Sequence, residues 1–135
     1  MDTPFLRIDL LLPDAAQSVP LCRRMLRFAL DELAVPEARA ADIELAVSEA
    51  TGNVVRHAYR SSDGRVGVTV AREDDELTVV VRDEGVGLSD FVSEGDLGYG
   101  LRIIERLTSR HVISSAADRG TEVVMVFGLG SADRA

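Results

Sequence analysis

The sequence predicts an α+β fold in which one layer of helices packs on one layer of sheet. Short segments show apolar residues at every second position, as strands do, and longer segments show the three-to-four-residue spacing of amphipathic helices. In order, they give a strand, two helices, a hairpin, a glycine-rich loop, a helix and a second hairpin. Strands adjacent along the chain pair readily, so we expect a mixed, mostly antiparallel sheet with helices on one face.

The predicted strands begin with Phe5 to Leu12, which brings four aliphatic side chains onto one face before Pro13 ends the strand. We place this strand at or near an edge of the sheet. The four remaining strands form two hairpins, and alternating apolar residues mark them around Val66 to Val70, Leu77 to Val81, Val112, and Thr121 to Phe127.

Three segments have helical spacing: Ala15 to Ala34, Pro36 to His57, and Leu101 to Leu107. In the second, one apolar stripe consists of Ile43, Val47, Ala50 and Val54. This stripe should pack on the sheet, which leaves the polar flank of the helix for other tasks.

The 135 residues suffice for one compact domain. We assign residues 1–128 to that domain and residues 129–135 to a flexible tail. Charged residues interrupt the N-terminal apolar run, so we expect no secretory signal, no membrane span and a cytoplasmic protein. A single cysteine, Cys22, suits a reducing compartment.

The charge balance narrows the possible partners and chemistries. A net charge of −8 disfavours direct contact with nucleic acid, because the phosphate backbone is also negative. All 15 basic residues are arginines. A P-loop and the common type of protein kinase each need a lysine beside the phosphates, so both classes are excluded.

Three polar clusters could carry chemistry, and the first lies in the second helix. Glu49 and Asn53 are one turn apart and therefore project side by side, with Arg56 close behind. A proton acceptor and a metal ligand would fit there, and a guanidinium suits phosphate oxygens. By itself this spacing is also typical of a solvated helix face.

The second cluster follows the first hairpin. Asp83 ends a strand, and Gly85 and Gly87 come directly after it. A carboxylate at this place can accept a hydrogen bond from an exocyclic amine, while the glycines allow the backbone to approach a flat ring. Adenine fits this description, and a plain turn is the other interpretation.

The third cluster is the glycine-rich segment before the last predicted helix. Gly98 and Gly100 run into Leu101, where we expect the helix to begin. The free N–H groups of a helix N-terminus attract phosphate, so this segment could close over a bound nucleotide. A flexible loop is the alternative.

In this order and spacing, the three clusters resemble the N, G1 and G2 boxes of the GHKL ATPase superfamily, whose two-layer fold is the Bergerat type. The short chain is most similar to the stand-alone anti-sigma factor serine/threonine kinases. The resemblance implies a histidine-kinase-like ATPase domain that uses ATP and Mg²⁺. It makes Glu49 the general base and Asn53 the Mg²⁺ ligand. Nucleotide contacts would come from Arg56, Asp83, Gly85, Gly87, Gly98, Gly100, Leu101 and Thr121.

The resemblance also implies partners: an anti-anti-sigma protein of the STAS type as phosphoacceptor, a sigma factor to sequester, and a second copy in a homodimer. One position departs from the family, which often has threonine before the metal-binding asparagine, where this chain has Gly52. Two alternatives therefore stay open. The chain could bind nucleotide and a sigma factor without catalysis, or it could be the catalytic domain of a histidine kinase.

Overall fold

A computed structural model describes residues 6–13, 16–58, 65–83, 94–116 and 120–130. The side chains at 55–58, 94–100, 115–116 and 120 fall outside that description. The elements are β1 (Leu6–Pro13), α1 (Ser18–Glu32), α2 (Glu37–Ala58), β2 (Arg65–Glu73), β3 (Glu76–Asp83), α3 (Glu94–Leu107), β4 (Arg110–Ala116) and β5 (Gly120–Gly128). No helix in these ranges is both long and apolar enough to cross a membrane.

The five strands form one sheet in the order β1-β2-β3-β5-β4. β1 lies at an edge, as predicted. Both predicted hairpins are present, β2 with β3 and β4 with β5, and β3 joins them by pairing with β5. We expected a mixed sheet, but every pairing described is antiparallel. Among the described strands, each pair of neighbours runs in opposite directions, and β3 and β5, which are not consecutive, also pair antiparallel.

The core lies between the sheet and the helices. The predicted stripe of α2 is buried, with Ile43, Val47, Ala50 and Val54 at most 1% exposed. Alternate residues of the three central strands face this stripe, and each fully buried aliphatic side chain contributes about 1.5–3 kcal/mol. These strand residues are Val66, Val68, Val70, Leu77, Val79, Val81, Val123, Met125 and Phe127. The two-layer α+β fold is confirmed.

The opposite face of the sheet carries a polar network. Arg82 Nη1 donates to Thr69 Oγ1 over 3.1 Å, and Thr69 Oγ1 donates to Asp9 Oδ1 over 2.6 Å. The hydrogen bonds from Arg7 and then Thr69 lower the pKa of the Asp9 carboxyl. A Cβ on Gly67 would lie 2.8 Å from Arg82 Nη2, so glycine makes room for the guanidinium. This network holds β1, β2 and β3 together from outside the core.

α3 differs from its prediction, because it begins at Glu94 and not at Leu101. Gly98 and Gly100 therefore lie inside a helix and not in a loop that precedes one. The apolar spacing offers a reason, since Leu97 is one turn before Leu101 and continues the stripe toward the N-terminus. The two glycines reduce the stability of this turn, by roughly 0.5–1 kcal/mol each relative to alanine.

Arg72 joins the end of α1 to the β2–β3 turn. Its Nη1 donates to the carbonyl oxygens of Leu33 and Ala34, each over 2.9 Å, and its Nε donates to Asp74 O over 3.0 Å. These bonds satisfy carbonyl groups that a helix end leaves without intrahelical partners. The connection between α1 and α2 is thereby fixed to the sheet.

The C-terminal boundary extends past the predicted one by at least one residue. Leu129 is 6% exposed, and its N–H donates to Asp75 O over 2.8 Å. It therefore packs with the domain, although we assigned it to the tail. Residues 131–135 lie outside the described residues, so their flexibility stays a prediction.

We expect Ala34→Gly to stabilise the fold by about 0.5–1 kcal/mol. Ala34 has φ 57° directly after α1, in the left-handed region. Its N–H donates to Asp31 O and the N–H of Val35 donates to Leu30 O, both over 3.0 Å, which is the Schellman pattern that favours glycine. The left-handed conformation costs a residue with a Cβ about 1–2 kcal/mol, more than the backbone entropy that glycine loses.

Urea unfolding measures this effect. Ala41→Gly is the matched control, because Ala41 is exposed within α2, where the same substitution should destabilise by about 1 kcal/mol. A loss of stability in Ala34→Gly equal to that of the control would contradict the assignment of strain to Ala34.

Candidate functional site

The site begins on the flank of α2 that faces α3. Asn53 is 6% exposed and lies one turn after Glu49, which is half-buried. The helix therefore brings the carboxylate and the carboxamide to the same flank, as their spacing predicts. Asn53 is held at the margin of the core, while Glu49 keeps access to solvent.

The second pair of polar residues lies on the sheet. Asp83 and Thr121 are directly opposite each other at one end of the β3–β5 ladder. Their exposed fractions are 1% and 2%, so both are within the core layer. Burying a carboxyl group is costly unless it is hydrogen-bonded. A buried acid beside a hydroxyl at a strand end is well suited to recognise a polar ligand edge.

A small apolar cavity lies between α2, α3 and the sheet, and Asn53 contributes to its lining. It is lined by Ala50, Asn53, Val54, Leu101, Ile104, Ile113 and Val123. Leu101, which we predicted to contact the nucleotide, thus shares this cavity with Asn53. Val123 is two residues from Thr121 on the same face of β5, a separation of about 7 Å. The cavity therefore reaches from Asn53 on α2 to the strand that carries Thr121.

Our sequence analysis did not assign Ile113 and Val123 to the site. The signal for Val123 was present, because it follows Thr121 by two residues and must share its face. Ile113 had no such signal, since its place depends on β4 pairing with β5, where it lies opposite Val123. Both residues supply the apolar wall beside Asn53.

The remaining predicted residues stand as follows. Gly98 and Gly100 lie in the N-terminal half of α3. Arg56 lies near the end of α2, and its side chain falls outside the described part of the structure. Gly85 and Gly87 lie outside the described residues altogether. Their proposed contacts with nucleotide stay predictions.

The other flank of α2 faces α1. It is relevant to Gly52, the position at which this chain departs from the family pattern. Thr51 is fully buried, and its Oγ1 lies 3.8 Å from the Sγ of Cys22 in α1. Its hydroxyl therefore lies on the α1 side of the helix and does not substitute for the threonine that the resemblance leads us to expect in place of Gly52. Gly52 itself offers no hydroxyl beside Asn53.

We expect the Cys22 thiol to react only when the protein unfolds. It is 2% exposed, and burial raises its pKa, against a smaller opposing effect of the Thr51 hydrogen bond. The thiolate is the nucleophile that attacks thiol reagents, and burial makes it scarce by raising its pKa and inaccessible by covering it. At pH 8, a chromogenic disulfide reagent should modify native protein at least about 100-fold more slowly than protein in urea. Equal rates would show that the α1–α2 contact opens readily.

The residues present fit a magnesium nucleotide. Among the described residues, no group of three or more histidine, cysteine or acidic side chains could hold a metal by itself. Mg²⁺ in nucleotide sites needs fewer protein ligands, because phosphates and waters complete its shell. The Asn53 carboxamide oxygen is the hard donor such an ion requires, and the buried Asp83 and Thr121 are polar groups suited to the polar edge of a base.

Comparisons with known proteins identify the family of this chain. Residues 12–127 match the family model of the histidine kinase-like ATPase domain. The anti-sigma F factor of Clostridium acetobutylicum is 33% identical over 95 residues, which span 62% of this chain and 66% of that protein. The anti-sigma F factor of Oceanobacillus iheyensis is 33% identical over 96 residues, with the same two coverages. The matches therefore span slightly less than two thirds of these relatives.

A solved structure supports the same assignment. The RsbU and RsbW domains of Rv1364c from Mycobacterium tuberculosis superpose with a TM-score of 0.72 at 28% identity. The match covers 94% of this chain and 33% of that one. Together with the family match over most of its length, this shows that the chain belongs to the histidine kinase-like ATPase domain family.

Proposed function

We propose that this protein is a cytoplasmic ATP-dependent serine/threonine protein kinase that also acts as an anti-sigma factor. One observation carries the proposal: Asn53 of α2 lines a small cavity together with Leu101 and Val123. Val123 is two residues from Thr121, which lies opposite the buried Asp83 at the strand end. A nucleotide lying there would extend from the strand end to the helix flank. Its terminal phosphate would then be next to a carboxylate.

Each residue has a definite task in this proposal. Asp83 accepts a hydrogen bond from the adenine amino group, and the Thr121 hydroxyl joins that contact. The Asn53 carboxamide oxygen holds Mg²⁺. Glu49 takes the proton from the attacking serine or threonine hydroxyl. When bound, ATP supplies the phosphoryl group and Mg²⁺ neutralises charge on it.

Contacts to the phosphates would come from the end of α2 and from α3. Arg56 offers a guanidinium, and Gly98 and Gly100 allow the backbone to approach the phosphates. Gly85 and Gly87 would shape the adenine pocket. In this structure Gly98 and Gly100 belong to α3. For their N–H groups to bind phosphate, the first turns of α3 must unwind, which the two glycines make easier.

The partner supplies the nucleophile. The similarity to anti-sigma F factors supports an anti-anti-sigma protein as phosphoacceptor and a sigma factor as the sequestered protein. Phosphorylation would decide which of the two is bound. A homodimer is part of the same proposal.

A second candidate function is sequestration without phosphotransfer. The orientation of Thr51 toward α1 favours it, because no hydroxyl then stands at the place just before Asn53. In that case nucleotide would stabilise a sigma-binding surface only. Binding of ATP and of a sigma factor would persist, but no phosphate would move.

Incubation of the purified chain with γ-labelled ATP, Mg²⁺ and candidate anti-anti-sigma proteins tests the proposal. We expect label on the partner that survives acid, because phosphoserine and phosphothreonine are acid-stable and phosphohistidine is not. Acid-labile label would indicate a histidine kinase domain. Bound nucleotide without any transfer would establish the sequestering function in place of the kinase.

A further inference from the structure

A surface cleft of about 280 Å³ lies between the second half of α1 and the first turns of α2. Its lining consists of Arg27, Phe28, Leu30, Asp31, Val35, Glu37 and Ala40. Leu30 and Ala40 are buried and form an apolar floor. Phe28 is 60% exposed, an unusual position for a large aromatic side chain. Drug-sized ligands occupy about 300–1,000 Å³, so this cleft suits one or two side chains of a protein.

The charge of the cleft is negative. Arg27 is the basic residue of its lining, and its guanidinium is already engaged by two carboxylates. Its Nη1 lies 3.1 Å from Glu37 Oε1, and its Nη2 lies 2.8 Å from Glu44 Oε2. Glu44 is only 13% exposed, which anchors the guanidinium on the α2 side. The lining thus holds two acids, Asp31 and Glu37, against one base, and Glu44 adds a third carboxylate behind that base.

The apolar floor and the carboxylates together favour a basic side chain as the ligand of the cleft. A long cationic side chain can lay its methylene stem on Leu30 and Val35 while its charge reaches Asp31 or Glu37. An arginine guanidinium can also stack on the exposed face of Phe28, which adds about 0.5–2 kcal/mol of cation–π attraction in general. An acidic or purely apolar guest would leave the carboxylates without a counter-charge.

The cleft is separate from the candidate catalytic region. Arg27 and Glu44 lie where α2 faces α1, whereas Asn53 faces α3. Glu37 is also twelve residues before Glu49, about 18 Å along the helix axis. An occupant of the cleft would therefore leave the phosphotransfer region open. Because of this separation, the segment that accepts the phosphate is disfavoured as the ligand of the cleft.

We propose that the cleft binds an arginine-bearing segment of the sequestered sigma factor. This inference rests on the proposed anti-sigma function. A sigma factor binds DNA and so presents basic segments, which complement a cleft with excess carboxylate on a chain of net charge −8. While such a segment is bound in the cleft, it cannot contact DNA.

The test titrates the full chain with each purified sigma factor encoded in the same genome, by calorimetry. For the one that binds, Phe28→Ala and Asp31→Lys should each weaken affinity about 10- to 30-fold, as truncation of a central contact does. Two controls match them on the same helix. Met25→Ala removes another exposed apolar side chain, and Glu32→Lys makes the same charge change one residue away from Asp31, outside the cleft.

We expect less than about a threefold effect from both controls, because Met25 and Glu32 are not among the residues that line the cleft and a solvent-exposed charge outside it contributes little. Equal weakening by Asp31→Lys and Glu32→Lys, or wild-type affinity in Phe28→Ala, would overturn the inference. Thermal unfolding of each variant verifies the fold. ATP binding should be unchanged in all four variants, because none of these residues borders the nucleotide region.

A second probe separates this inference from the proposed function. The peptide acetyl-Leu-Arg-Leu-Arg-amide is titrated into ¹⁵N-labelled protein. We expect shifts of the amide signals around Phe28 and Val35 that Asp31→Lys abolishes. One outcome would separate the two ideas: no sigma factor binds the wild type, but the peptide shifts these amide signals and Asp31→Lys abolishes the shifts. In that case the anti-sigma role fails, and the cleft still binds basic segments. Shifts spread evenly over the acidic surface would overturn the cleft.

Discussion

Glu49→Gln should lower the rate of partner phosphorylation by roughly 10²–10⁴, the range that general-base catalysis contributes. Glutamine keeps the shape of the side chain and its place on α2, but it cannot accept the proton of the attacking hydroxyl. Glu49 is half-buried on the flank next to Asn53, where it can meet a hydroxyl from outside. Single-turnover transfer of labelled phosphate at saturating ATP measures the loss.

ATP affinity should stay within about threefold of wild type in this variant, because positioning and metal electrostatics hold the nucleotide without the base. Glu105→Gln is the control, since it makes the same change at an exposed position of α3. It should transfer phosphate at the wild-type rate. A Glu49→Gln protein that phosphorylates normally would assign the base to another group.

Local sequence patterns predicted most of the fold, because its core is made by alternation in strands and by one stripe in α2. Where the predicted start of α3 was wrong, one apolar position outweighed two glycines. The glycines before Leu101 read as a loop, yet α3 begins at Glu94. Leu97 lies one turn before Leu101 and extends the helical spacing toward the N-terminus, against the low helix propensity of glycine.

The candidate site divides in the same manner. Glu49 and Asn53 could be paired from sequence, because four residues make one helical turn. Asp83 and Thr121 are 38 residues apart, and only the register of β3 with β5 sets them opposite each other. The cleft between α1 and α2 was not predictable from local sequence patterns, because Phe28 and Glu37 come together only through the turn at Ala34.

Asp83→Asn should weaken ATP binding by roughly 10- to 100-fold. A hydrogen bond to a charged group contributes about 1.5–3 kcal/mol, and each 1.4 kcal/mol is a factor of ten in affinity. Asp83 is 1% exposed, so its bond to the adenine amino group would form away from competing water. Calorimetric titration with ATP and Mg²⁺ provides the measurement. Asp42→Asn, at a partly exposed acid paired with Arg39 over 2.8 Å, is the matched control and should bind as wild type does.

The preference for adenine over guanine gives a readout that a general loss of structure would not produce. Adenine presents an amino donor where guanine presents a carbonyl acceptor. A carboxylate accepts only and therefore favours ATP over GTP, whereas asparagine can turn its amide to donate. The ATP-to-GTP affinity ratio should fall in Asp83→Asn through a loss for ATP and a gain for GTP. A variant that lost both nucleotides equally, or retained full ATP affinity, would contradict the assignment of Asp83 to the adenine edge.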